Sequence, residues 1–287
     1  MPITVAEALI EALPYVQRWA NQIVVVKLGG AAMADPKLGD AVARDLVLLR
    51  AVGVHVLLVH GGGLAVSDMG RRLGLEPQFV DGLRVTDDET MRVAQLVQVG
   101  GISRDLLAAV ARFGGQGIGL SGHDGGGWMR AKVRKHVSVE TGESVDLGRV
   151  GDITSVDVAL IQTQLDASVI PVIAPVAVDD EFKALNVNAD SVAMAIAVEL
   201  NASRLLFMTD IDGIHGPDGL VNEVDPTTVR RWVNDGVVSG GMVPKVEACL
   251  AALDAGVERV TILNGKKPHA LLIELLTDAG LGTLVCA

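Results

Sequence analysis

Two lysines and three glycine clusters are the residues of this sequence best suited to holding a polyphosphate. Lys27 precedes Gly29 and Gly30 at the end of the apolar run Val24, Val25 and Val26. A second apolar run, residues 56–59, ends in His60, Gly61, Gly62 and Gly63. Far along the chain Gly240, Gly241 and Met242 lead into Pro244 and Lys245. Glycines after a buried strand let the backbone turn with bare N–H groups facing one point, and a nearby ammonium group adds the charge that an anion needs. Taken singly, Lys27 also suits a solvated strand end and glycine runs also make plain turns. Three such loops with two lysines point to one shared phosphate-bearing ligand.

Asp190, just after Asn188, either caps a helix or holds both ammonium groups in position without touching substrate. No obvious catalytic base accompanies these residues. A carboxylate acceptor is already ionised at pH 7, so transfer to it reduces to positioning and charge neutralisation, whereas a hydroxyl acceptor would want a base. The P-loop pattern of two glycines five apart followed by Lys and Ser or Thr is missing. Gly117, Gly119 and Gly122 fit G-x-G-x-x-G, but no helix is expected after them and no acidic residue follows at the distance a dinucleotide site requires. His60 reads as a core imidazole. His123, His136 and His215 have no metal-ligand spacing, and Cys249 and Cys286 read as ordinary thiols, so no protein-held metal is expected.

The elements that must carry these residues follow from composition and periodicity. The chain has 287 residues, 49% of them hydrophobic and only 3% aromatic, with 33 glycines. Such a Val, Leu, Ile and Ala-rich sequence suits parallel strands covered on both faces, so the expected class is α/β. The formal charge of −11 leaves no basic stripe for nucleic acid. No run approaches 18 apolar residues and no signal-peptide pattern opens the chain, so a cytoplasmic protein without a membrane partner is expected.

Along the chain, residues 1–20 have helical apolar spacing with Pro14 expected to kink them. Strands are expected at 23–28, 54–60, 169–176, 204–208, 258–263 and 283–286, with helices at 37–52, 64–73, 226–235, 243–255 and 267–277. Residues 78–86 read as a hairpin, after which Thr86 and Glu89 form a capping box that opens a helix to about 112. Residues 117–150 read as an antiparallel excursion, and Thr154 as the cap of a helix to about 167. A boundary near 180 divides the chain into residues 21–180 and 181–287, preceded by the helical arm 1–20.

The stretches around Lys27 to Met33, His60 to Gly63, Gly82 to Asp87, Leu120 to Gly125, Pro171 to Pro175, Asn186 to Asp190, Met208 to Gly213 and Gly240 to Lys245 resemble the amino-acid kinase family, in the family's order. They are most similar to its branch acting on N-acetyl-L-glutamate in arginine biosynthesis. The usual proline after the three glycines is here Leu64. The resemblance implies a three-layer αβα sandwich on a mainly parallel sheet in two lobes. Residues 21–180 would bind the amino-acid substrate and residues 181–287 ATP, with Mg2+ held mainly by the ATP phosphates. By matching motif, Lys27 and Lys245 would neutralise the moving phosphoryl group, Gly29, Gly30, Gly62 and Gly63 would give it amides, and Asp190 would orient both lysines. Arg84 and Asn186, with Gly62 and Gly63, would hold the substrate, Arg84 through its bidentate fork. Thr209, Asp210, Gly241, Met242 and Lys245 would line the nucleotide pocket. The leading helix resembles that of arginine-inhibited members, in which such helices interlace dimers into a hexamer. A homodimer or a trimer of dimers is therefore expected, with Tyr15, His269 and Glu274 as candidate L-arginine contacts.

Overall fold

The structure, a computed structural model, describes residues 4–29, 36–278 and 280–286. Its centre is an eight-stranded sheet in the order Glu223–Val224, Thr283–Cys286, Arg259–Asn264, Arg204–Thr209, Ile23–Leu28, His55–His60, Ile170–Ile173, Gly117–Leu120. All neighbouring pairs are parallel except Thr283–Cys286 against Arg259–Asn264. Period-two alternation divides the apolar side chains between the two faces. Val25, Leu57, Val59, Leu205 and Phe207 pack with Val192 and Ile196 of the helix Ala189–Glu199 and with Val246 and Leu250 of the helix Val243–Asp254. Val24, Val26, Leu28, Leu58 and Met208 pack on the other face against Leu46 and Leu49 of the helix Pro36–Ala51 and against helices Ser103–Arg112 and Ala270–Leu276. The result is the expected αβα sandwich on a mainly parallel sheet.

Register matters for the site because Leu28 pairs with both His60 and Met208, and Met208 with Leu263. The strands therefore end level, and their following loops open on the same edge of the sheet. That edge is where α/β sheets generally bind ligands.

Several expected boundaries differ. The apolar run 169–176 is broken: Ile170–Ile173 stays in the main sheet, while Val176–Val178 enters a closed four-stranded barrel with Ala184–Val187, Val150–Val156 and Met129–Val133. Pro175 has no N–H for a ladder, and the Val176 N–H donates back to the Ala174 carbonyl, which turns the chain. Gly117–Leu120 belongs to no antiparallel excursion and forms the parallel edge of the main sheet. Thr154 lies within the strand Val150–Val156, and the next helix is Ala159–Asp166. Residues 78–86 do form a hairpin, Phe79–Val80 with Leu83–Arg84.

The cap of the next helix, Asp88–Gln95, is Asp87, whose Oδ1 accepts from the Thr90 N–H at 2.7 Å. Thr86 is unavailable as a cap because its fully buried hydroxyl donates to the Arg84 carbonyl. That helix does not run plainly to residue 112 but passes through a π-helical turn, Leu96–Ile102, before Ser103–Arg112. The leading helix, Val5–Trp19, starts with a Thr4–Glu7 capping box and continues through Pro14 as one element. Its C-terminal half packs through Tyr15 and Trp19, whereas Leu9, Ile10 and Leu13 are exposed.

Candidate active site

Lys27 shares the sheet face of Val25, two residues earlier, and that face is covered by the helix Ala189–Glu199. Asn188 caps this helix: its Oδ1 accepts from the Asp190 N–H at 2.7 Å and the Ser191 N–H at 3.3 Å. Capping thus falls to Asn188, which frees the Asp190 carboxylate. Lys27 Nζ lies 2.8 Å from Asp190 Oδ1, with the two side chains 13% and 34% exposed. This contact is off-line for a hydrogen bond, so Asp190 Oδ1 has an ion-pair partner but no donor aligned on it. Gly29 follows directly, its N–H donating to the Met208 carbonyl at 3.0 Å. A Cβ there would lie 2.9 Å from that carbonyl oxygen, so only glycine fits.

Lys245 stands in the first turn of the helix Val243–Asp254, after the tight turn Gly240–Met242. Its ammonium group donates to Asp210 Oδ1 rather than reaching Asp190, and this contact holds the Asp210 carboxyl below the usual carboxylate range. Asp190 therefore contacts Lys27 and not Lys245, against the expectation of one carboxylate between both lysines; each lysine has its own. Lys27, Gly29, Asp190, Thr209, Asp210 and Lys245 nevertheless line one cavity of about 330 Å³. Gly241 and Met242 are not in its lining and form the turn that presents Lys245. Gly30 lies outside the described residues.

A second cavity of about 240 Å³ is lined by Gly61, Gly62, Gly63, Arg84, Asn186 and neighbours. The two cavities adjoin, since Leu64 and Asp190 line the first while their chain neighbours Gly63 and Ala189 line the second. Arg84 Nη2 donates to the Gly63 carbonyl and the Ser67 hydroxyl, both at 2.7 Å, and its guanidinium stacks 4.7 Å from the Phe79 ring centroid. Burial, then the nearby Arg71, lowers the Arg84 pKa from its ordinary value. Asn186 Nδ2 donates to Thr86 Oγ1 at 3.3 Å.

Beneath the glycines, His60 is fully buried, its Nδ1–H donating to the Gly61 carbonyl and its Nε2 accepting from the Ser103 hydroxyl, each at 2.8 Å. Burial pushes the imidazole down to about 4, so it is neutral at pH 7. This is the core histidine expected, with the added task of fixing the glycine loop. Sequence reasoning missed Ser67, Ser103 and Gln98, which support or line this cavity from the helices 63–72 and 88–112. A lone Ser or Gln within an apolar helical pattern carries no spacing signal.

Among the described residues no group of three or more His, Cys, Asp or Glu side chains converges. No helix among them is long and apolar enough to cross a membrane. The three residues tied to an arginine contact are each engaged within the chain. Tyr15 packs in the cluster containing Leu272 and Leu276, with its hydroxyl facing Asp278. His269, at a φ of 58°, puts Nδ1 2.6 Å from the buried Asp45, whose carboxyl burial raises. Glu274 accepts from the N–H groups of Leu281 at 2.9 Å and Gly282 at 3.2 Å and lies 3.6 Å from Arg204.

A lysine-flanked, glycine-walled cleft at the carboxyl edge of a parallel sheet defines a phosphoryl-transfer class of fold and site. The chain belongs to the amino acid kinase family, whose model matches residues 22–264. It is 46% identical over 284 residues to an acetylglutamate kinase of Symbiobacterium thermophilum, covering 98% of this chain and 97% of that one. It is 42% identical to an acetylglutamate kinase of Methanothrix thermoacetophila over 284 residues, 97% of each chain. Among solved structures, N-acetylglutamate synthase from Neisseria gonorrhoeae complexed with coenzyme A and N-acetyl-glutamate superposes with a TM-score of 0.84 at 27% identity, covering 99% of this chain and 64% of that one. Carbamate kinase from Giardia lamblia bound to AMP-PNP shares the fold, with a TM-score of 0.65 at 17% identity over 93% of this chain and 99% of that one.

Proposed function

We infer that this protein is a kinase that transfers the γ-phosphoryl group of ATP to the γ-carboxylate of N-acetyl-L-glutamate, giving N-acetyl-L-glutamyl 5-phosphate and ADP for arginine biosynthesis. The observation that carries this reading is the likeness, over nearly the full chain, to proteins named acetylglutamate kinase. A carboxylate oxygen attacks the γ-phosphorus; the new P–O bond forms as the bond to the β,γ-bridging oxygen breaks, and that electron pair leaves with ADP. No proton is transferred, which agrees with lysines and glycines, and no histidine, among the described residues that line the two cavities. His60, which precedes the glycine loop, is buried with both ring nitrogens occupied.

In this reading Lys27 and Lys245 neutralise the moving group. Asp190 fixes Lys27, Asp210 fixes Lys245, and the N–H groups of Gly62 and Gly63 face the phosphoryl oxygens. Each well-placed donor contributes about 3–4 kcal/mol to such a transition state. Arg84 and Asn186 take the substrate α-carboxylate in the smaller cavity, while the adenosine lies against Thr209 and Asp210. Mg2+ enters on the ATP phosphates, because Asp190 and Asp210 already carry ammonium partners. Residues 21–180 serve substrate and 181–287 nucleotide, although the central sheet takes strands from both segments. The exposed Leu9, Ile10 and Leu13 support a helical arm that joins dimers into a hexamer, and the neighbouring Tyr15, His269 and Glu274 a regulatory site for L-arginine. The enzyme works in the cytoplasm.

The test is a hydroxylamine-trapping assay for acyl phosphate with MgATP and, separately, N-acetyl-L-glutamate, L-glutamate, L-aspartate and aminoadipate. Turnover is expected with the acetylated substrate and is lost with Lys245→Ala. Preference for free glutamate would overturn the substrate assignment. Sedimentation with and without the first 20 residues, and L-arginine titration of the rate, test the assembly and the regulation.

A further inference from the structure

Gln98 is a polar side chain that neither the phosphoryl-transfer chemistry nor the packing explains. It lies in the π-helical turn Leu96–Ile102 and is only 4% exposed. π-turns accommodate an extra residue, at a cost in regular hydrogen bonding, and frequently occur at functional sites. Here the turn abuts the glycine loop: a Cβ built on Gly62 would lie 2.9 Å from Gln98 Cγ, 3.1 Å from Ile102 Cδ1 and 3.4 Å from Gln98 Nε2. Gln98 Oε1 is buried without a hydrogen-bond partner, and the residue lines the cavity shared by Gly62, Arg84 and Asn186. Ile102 borders the same glycine, and Val93 and Val97, from the same helical run, are buried in an apolar cluster. A leucine of similar length would fit such a setting without leaving a polar atom unpaired, so the carboxamide is costly unless something else completes it.

A substrate of the proposed kind, on which this inference rests, carries three polar groups: two carboxylates and a neutral acylamido group. The charged donor Arg84 and the glycine N–H groups match the carboxylates. A primary carboxamide, with one donor end and one acceptor end, matches an acylamido group. We propose that Gln98 is a specificity-determining residue whose carboxamide hydrogen-bonds the acylamido group of the bound N-acyl amino acid beside Gly62. A half-turn about Cγ–Cδ exchanges Nε2 and Oε1, so the side chain serves either the carbonyl oxygen or the N–H of that group.

The experiment compares wild type with Gln98→Leu and Gln98→Glu in the acyl-phosphate assay, with glutarate, which has two carboxylates and no acylamido group, as a competitor. Turnover of N-acetyl-L-glutamate by the wild type tests the reaction itself and is independent of Gln98. Gln98→Leu is expected to raise the KM for N-acetyl-L-glutamate about 3- to 10-fold. It should leave the KM for MgATP and the inhibition constant of glutarate unchanged and melt at or above the wild-type temperature, because it removes a buried amide oxygen that has no partner. Gln98→Glu should raise the same KM further, with partial recovery at low pH as its carboxyl protonates and regains a donor. An unchanged KM in Gln98→Leu, or an equal loss of affinity for glutarate, would overturn the assignment.

Discussion

Separate pairing of the two lysines leads to a double-mutant test. At 2.8 Å the Lys27–Asp190 attraction is about 6 kcal/mol at an effective dielectric of about 20. Desolvation of the mostly buried ammonium and solvent access to Asp190, a third exposed, reduce the net hold to roughly 1–2 kcal/mol. Asp190→Asn keeps the Lys27 charge but frees its position, so a fall in kcat of about 10-fold is expected. Lys27→Met removes the charge itself and should cost about 100- to 1000-fold. If Asp190 acts only through Lys27, the double variant should be no slower than Lys27→Met within about threefold, a coupling on the order of 1 kcal/mol. Asp190→Asn combined with Lys245→Ala should instead multiply, because Lys245 rests on Asp210. The readout is kcat in the hydroxylamine assay at saturating MgATP and substrate, with thermal melts to exclude unfolding. Multiplying losses in the Lys27 and Asp190 pair would refute the positioning role and put Asp190 on the reacting groups directly.

Gly62→Ala should place a methyl carbon 2.9 Å from Gln98 Cγ and 3.1 Å from Ile102 Cδ1. Overpacking of this kind costs about 1–3 kcal/mol, so a lowered melting temperature and a raised KM for the amino-acid substrate are expected. His60 yields a pH prediction. Its folded pKa of about 4 lies below the ordinary 6.5, so the folded state binds fewer protons and stability falls as pH drops from about 6.5 towards 4. The shift is worth roughly 3 kcal/mol. Urea unfolding at pH 7.5 and pH 4.5 should show this loss in wild type and a smaller one in His60→Asn, whose amide does not titrate; equal losses would assign the acid sensitivity elsewhere.

Much of this architecture was readable locally. The apolar runs ending in Gly29 and Gly61 marked strand ends, because β-branched residues favour a buried strand and glycine permits the turn that ends it. Elsewhere local reading failed where distant groups compete. Thr86 looks like a cap until the Arg84 carbonyl and Asn186 are found to occupy its hydroxyl. Residues 169–176 look like one strand until the barrel takes the second half. Gln98 is hidden in a helical pattern because its significance depends on Gly62, a contact that a π-turn creates and no periodicity announces.

The sequence by itself determined the layered α/β plan, the glycine-ended strands and the presence of two lysines suited to a phosphate, with one carboxylate, Asp190, expected between them. Only the tertiary structure decided which carboxylate each lysine meets and how the two cavities adjoin. Alternation fixes the face on which Lys27 emerges, but the helix covering that face is set by long-range packing and strand order. Its cap, Asn188, then leaves Asp190 free for Lys27, while Asp210, at the end of the adjacent strand Arg204–Thr209, takes Lys245.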